Sequence, residues 1–122
     1  MYIRVLYNDI GVFHGVEKLI KELEKQAEED IEKGYNTDFL DEAVYDLNLI
    51  LGKIEYEFNT YPKVPQNTIF AYTEEGYEQV KNLYKELNEC LIDYGFNELE
   101  IIKLDISENR IKYKDNQQIG YI

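Results

Sequence analysis

Residues 68–76 read Thr68-Ile69-Phe70-Ala71-Tyr72-Thr73-Glu74-Glu75-Gly76, and this passage decides the fold class. The first five are rich in β-branched and aromatic side chains, which predicts a strand over 68–72. Thr73 is a good helix N-cap, and Glu74 and Glu75 suit the positive end of a helix dipole. Tyr77, Val80, Leu83, Leu87, Leu91 and Tyr94 then recur at helical spacing until Gly95. A strand that feeds directly into an amphipathic helix marks a mixed fold.

The pattern repeats upstream. Residues 2–7, Tyr-Ile-Arg-Val-Leu-Tyr, predict a strand. A loop with Gly11 and Gly15 follows, read as a turn in which glycine permits positive φ. Val16, Leu19, Ile20, Leu23, Ala27 and Ile31 predict a first helix that Gly34 closes. A second helix should open at Asn36 or Thr37, with a stripe of Leu40, Val44, Leu47, Leu51, Ile54 and Phe58; Pro62 and Pro65 end it. Downstream, residues 99–106 predict a strand and Ser107-Glu108-Asn109 a turn. Ile111 and Tyr113 alternate with Arg110, Lys112 and Lys114 as in a half-exposed strand, and residues 118–122 add a short last one. The expected order is β-α-α-β-α-β-β(-β). It describes one α/β or α+β domain over residues 1–122, with helices packed on a small mixed sheet and a C-terminal antiparallel meander.

Composition narrows the functional classes. The chain has 122 residues with 25 Asp plus Glu against 13 Lys plus Arg, a net charge of −12. With 44% apolar residues it is too hydrophobic for a disordered acidic tail. The charge argues against direct nucleic-acid binding, which depends on Lys and Arg releasing counterions, and against anionic membranes. The single cysteine, Cys90, excludes an internal disulfide and a thiolate zinc cluster. Met1-Tyr2-Ile3-Arg4-Val5 lacks a basic region followed by a long apolar run, and no segment has the ~20 apolar residues a membrane span needs, so a cytoplasmic protein is expected.

Motifs for chemistry are sparse. Gly11 and Gly15 are not followed by Gly-Lys-Ser or Gly-Lys-Thr, and Asp9 and Glu17 would repel a phosphate. Asp105-Ile106-Ser107-Glu108-Asn109 starts like a calcium loop, but Arg110 stands at the glycine position and Asn116 at the final glutamate position. Ser107 lies in a turn, and Cys90 sits beside Leu87, Leu91 and Tyr94 as an inert thiol would. One weak internal echo remains: Tyr7-Asn8-Asp9-Ile10-Gly11 after the first strand and Tyr72-Thr73-Glu74-Glu75-Gly76 after the second. If those strands are parallel neighbours, right-handed crossovers bring both loops to one sheet edge. Tyr7, Asn8, Asp9, His14, Tyr72 and Thr73 would then form a ligand site, with Asp9, His14 and Glu74 as its polar groups. Capping explains the same residues without a ligand. No catalytic residue, metal site or cofactor is expected.

The distribution of charge is more informative. Residues 16–33 carry −3, residues 38–58 carry −5 and residues 74–94 carry −4, so nearly all the excess lies on helices. The first helix pairs Glu17 with Lys21 and Glu29 with Lys33 at four-residue spacing. The second has Asp38, Asp41, Glu42, Asp46, Glu55 and Glu57 against Lys53. It also carries a second stripe, Tyr45, Leu49, Gly52 and Tyr56. A surface helix needs one buried stripe; burial between the sheet and another helix is the expected fate of both. Left exposed, tyrosines among carboxylates would suit a basic protein surface.

The sequence therefore predicts a non-enzymatic binding protein whose acidic helical face engages a basic, nucleic-acid-binding protein, in its sharpest form by nucleic-acid mimicry. Small acidic phage or mobile-element inhibitors such as anti-CRISPR proteins share this size and charge, a similarity of composition that carries no residues over. The contacts predicted are Asp41, Glu42, Tyr45, Asp46, Glu55 and Tyr56, with Glu74, Glu75 and Glu78 as a second cluster. The alternatives are a small ligand- or metal-binding domain or enzyme using the strand-end loops, and a homodimer sealed through residues 38–58.

Overall fold

The computed structural model describes residues 1–57 and 63–122. β1 (Tyr2–Tyr7) turns into a two-residue β2 (Ile10–Gly11), followed by α1 (Val12–Glu32), α2 (Asp38–Glu57), β3 (Ile69–Tyr72), α3 (Glu74–Asp93), β4 (Glu100–Leu104), β5 (Ile111–Lys114) and β6 (Gln118–Tyr121). The predicted elements are all present, with β2 as an addition. Phe58 and Pro62, the predicted end of the second helical stripe, lie outside the described residues.

The first turn differs from expectation in an informative way. Asn8 and Asp9 have φ of 50° and 68°, whereas Gly11 has φ of −50°. A two-residue hairpin loop of type I′ has positive φ at both central positions, and Asn and Asp tolerate it best after glycine. The loop is therefore Asn8-Asp9, and α1 starts at Val12, earlier than the glycines suggest. Gly15 serves a different purpose: a Cβ there would stand 2.5 Å from the carbonyl oxygen of Tyr7. Its absence lets the first turn of α1 lie against the end of β1.

The helix starts follow local chemistry. Asn36 Oδ1 accepts from the backbone N–H of Asp38 at 2.7 Å, opening α2. Thr73 Oγ1 accepts from Gly76 N–H at 3.0 Å, as predicted, and donates to the carbonyl of Asn116 at 2.7 Å, tying α3 to the β5–β6 turn. In that turn Asp115 accepts from the backbone N–H groups of Gln117 and Gln118 and from the Tyr113 hydroxyl.

All ladders are antiparallel, so the predicted mixed sheet is a wholly antiparallel one. The order is β2-β1-β3-β6-β5, with β4 along the other edge of β1. The C-terminal meander is realised in part: β5 and β6 form a hairpin, but β4 leaves it to pair with β1 from Leu6↔Glu100 to Tyr2↔Leu104. β1 and β3 meet in one register pair, Ile3↔Tyr72. Residues of β1 pair with β4 on one side, so β2 and β3 share its other side end to end.

One face of this sheet carries the helices. α1 and α3 pack on β1, α3 also reaches β3, and α2 packs against α1 and α3. Between them, Ile3, Val5, Tyr7 and Tyr72 of the sheet meet Val16, Leu47, Ile54, Val80 and Leu87. The opposite face holds a smaller cluster of Ala71, Ile119 and Tyr121. The result is an α+β domain of three helices and a six-stranded sheet. Among the described residues, no helix is long and apolar enough to cross a membrane.

Candidate functional site

α2 rides on the two helices that themselves lie on the sheet, which decides the fate of its second stripe. Ala43, Leu47, Ile50, Leu51 and Ile54 are buried against α1 and α3. At 100° per residue, Tyr45, Leu49, Gly52 and Tyr56 fall on the opposite side of the helix. They are exposed: Tyr45 by 67%, Leu49 by 48% and Tyr56 by 78%. The expected burial of both stripes is thus overturned, because a helix in an outer layer has neighbours on one side only. Phe39, in the first turn of α2, is also exposed, its ring edge-on to Tyr94 at 5.4 Å.

Gly52 makes a notch in this stripe. A Cβ there would meet nothing within 4 Å, so no packing constraint explains the glycine. A shallow depression lies over it, bordered by Leu49, Lys53 and Tyr56 of α2 and by Leu83 of α3.

The acids divide into three situations. Asp41, Glu42 and Glu55 are exposed on α2 beside the stripe. Asp46 is half-buried and held: the Tyr94 hydroxyl donates to its Oδ2 at 2.6 Å. That bond pushes the Tyr94 phenol up to about 12, burial adding to it. Asp46 therefore joins α2 to α3. Lys53 joins them again through Glu86, at 3.4 Å. These two links run in opposite order along the helices, so α2 and α3 are antiparallel.

Between those links lies a groove whose floor is Leu49, Ile50 and Cys90 and whose rims carry Asp46, Glu86, Glu89 and Asp93. Glu86, Glu89 and Asp93 were not singled out in the sequence. Their spacing of three and four residues already placed them on one face of α3; what was missing was the pairing of that face with α2. The Cys90 thiol is pushed up to about 11 by burial, reinforced by the carboxylates of Asp46, Asp93 and Glu86, which keeps it protonated at neutral pH.

The predicted second cluster stands apart. Glu74, Glu75 and Glu78 occupy the first turns of α3, around a hollow shared with Met1, Ile3 and Lys103. The links between α2 and α3, at Glu86 and Tyr94, lie further along. Two of the three are already paired: Glu74 with the Met1 amino group at 3.8 Å and Glu78 with Lys81 at 2.8 Å.

No known protein family, curated protein or solved structure matches this chain.

The predicted strand-end site is not assembled. Because β1 and β3 are antiparallel, the loop after β3 lies beside the start of β1, where Glu74 meets Met1, while Asp9 follows the far end of β1. Those ends are separated by about four strand residues, or roughly 13 Å. Asp9, His14 and Glu74 therefore share no site, and no group of three or more metal-ligating side chains occurs among the described residues. Asn8 instead accepts from the Asn97 side chain at 2.9 Å, Thr73 caps α3, and Tyr7 is buried. Of the six residues, His14 and Tyr72 do come together, along a cleft between β1 and β3.

Proposed function

We propose that this chain is a cytoplasmic, non-enzymatic binding module whose α2 face, with the adjoining α2–α3 groove, docks on a basic protein. The observation that carries this reading is the solvent-exposed stripe of Tyr45, Leu49 and Tyr56 on the side of α2 opposite the core, bordered by Asp41, Glu42 and Glu55. Tyrosine gives a large rigid contact with a polar tip, and partners with complementary charge are steered toward such a face. The notch at Gly52 lets a partner side chain approach the helix backbone between Leu49 and Tyr56. The acid-rimmed groove extends the negative field over an apolar floor, which suits the aliphatic stem and charged head of a lysine or arginine.

A second copy of the chain is a poorer occupant. In a two-fold contact the same surface meets itself, so residues 38–58, with their charge of −5, would face an equal negative charge. A nucleic-acid-binding protein is the sharper form of the proposal, because its basic site would accept carboxylates arrayed along helices in place of phosphates.

A photo-crosslinking residue at Tyr45, with Lys112 on β5 as control, identifies the partner in cells. A basic protein is expected from position 45 and not from 112. Its affinity for the purified chain should fall more than tenfold between about 50 and about 500 mM salt, and again in a Tyr45→Ser/Tyr56→Ser variant. A neutral or acidic partner, or affinity indifferent to salt and to both tyrosines, overturns the reading. Sedimentation of the chain as a dimer that the same variant dissociates would favour self-association instead. Competition by duplex DNA for the recovered partner is the outcome mimicry requires.

A further inference from the structure

The sheet is closed at one end of the β1–β3 junction and open at the other. Past Ile3↔Tyr72 the strands separate, β1 turning to β2 through Leu6↔Gly11 and β3 pairing through its far edge with β6. The opening is a cleft of about 340 Å³. Arg4, Gly11 and His14 stand on one side of it and Thr68, Phe70 and Ala71 on the other. Its buried end is formed by Tyr72 and Tyr84, whose hydroxyls are 2.5 Å apart.

Two features set this cleft apart from the rest of the surface. In a chain with 25 acidic residues, no carboxylate lines it among the described residues, while Arg4 and His14 do. Arg4 is one of two arginines, is half-buried, and forms no ion pair or side-chain hydrogen bond among the described residues. A guanidinium partly withdrawn from water and left without an acceptor is costly. Gly11 keeps the space beside it clear, since a Cβ there would stand 3.3 Å from Arg4 Nη2. The remaining walls are apolar or aromatic, including Val5, Phe13 and Ile69.

We propose that this cleft binds a small organic carboxylate. Arg4 takes the carboxylate through its planar fork of N–H donors, a geometry that matches two oxygens. His14, which also lines the cleft, supplies a further polar contact. The apolar body of the ligand lies between Phe13 and Phe70. A volume of 340 Å³ is at the lower end for ligand pockets and fits a body of one ring or a short branched chain. A phosphate ester, with more charge to neutralise, would find one arginine insufficient in a chain of net charge −12. This site is independent of the α2 face.

The test is an amide NMR titration of the unsubstituted chain with 3-phenylpropionate, with 3-phenylpropionamide and with inorganic phosphate. The carboxylate is expected to saturate shifts at Gly11, His14 and Ala71 in the low-millimolar range, and the uncharged amide to bind at least tenfold more weakly. Arg4→Met, which keeps an apolar stem, should remove that preference, and Ile69→Trp should block both probes. Equal binding of acid and amide, shifts confined to α2, no saturation, or phosphate competing as well as the carboxylate would each overturn the proposal. The acid–amide comparison needs no variant, so it decides the matter even if Arg4→Met fails to fold.

Discussion

The Tyr94 hydroxyl and the Asp46 carboxylate lock the end of α3 to the first half of α2 through a 2.6 Å hydrogen bond. The bond requires the neutral phenol, which is why Tyr94 is held up near 12 rather than at the ordinary value of about 10. A group whose pKa is raised on folding contributes stability that is complete below its unfolded value and lost as pH climbs through its folded one. The lock should therefore hold up to about pH 10 and fail through about 12. Following the Tyr94 ring resonances checks this, and Asp46→Asn should return the titration toward 10. An unchanged midpoint in that variant would mean that Asp46 is not the cause.

The hydroxyls of Tyr72 and Tyr84 form a buried phenol pair. Tyr72→Phe leaves the Tyr84 hydroxyl, only 1% exposed, without the partner it has at 2.5 Å. Stranding a buried donor costs about 1–3 kcal/mol. Chemical denaturation should show that loss, with an unchanged denaturant slope. A double Tyr72→Phe/Tyr84→Phe variant should recover part of it.

The Cys90 thiol should be a slow nucleophile. Burial and the groove carboxylates put it at about 11, against an ordinary cysteine near 8.5. Its rate with an aromatic disulfide reagent should keep climbing roughly tenfold per pH unit beyond 9. A plateau near 8.5 would show a thiol in free exchange with solvent.

Two glycines should answer alanine in opposite ways. At Gly76 a Cβ would stand 1.9 Å from the carbonyl oxygen of Gln117, so Gly76→Ala should cost about 3 kcal/mol or more, by pushing α3 off the β5–β6 turn. At Gly52 a Cβ meets nothing within 4 Å in the interior of a helix, so Gly52→Ala should stabilise by about 0.5–1 kcal/mol. Thermal unfolding reads both signs. If Gly52→Ala also weakens the partner found by crosslinking from Tyr45, the notch belongs to the interface.

Local chemistry made the elements legible in advance. Thr73 as a cap, the apolar spacing of α1 to α3 and the alternation of Ile111 with Tyr113 each depend on neighbours a few residues away. What depends on pairing was not legible. The direction of β3 relative to β1 is set by tertiary packing, and once it proved antiparallel the Asp9 and Glu74 loops fell at opposite ends. The exposure of Tyr45 and Tyr56 likewise depends on α2 lying outside α1 and α3, which periodicity does not encode. The positive φ at Asn8 and Asp9 had a local signal, a two-residue polar turn between apolar runs, but the glycines downstream drew the turn to themselves.

The one register pair between β1 and β3, Ile3↔Tyr72, has a consequence for how the sheet opens. On one side of it stand β2, β1 and β4; on the other, β3, β6 and β5, each set stitched by several pairs. The six strands are two triplets sharing one rung, bridged by α3. Their amides should exchange with deuterium at two rates instead of one. Occupying the cleft with a carboxylate that spans the gap should bring those two clocks together.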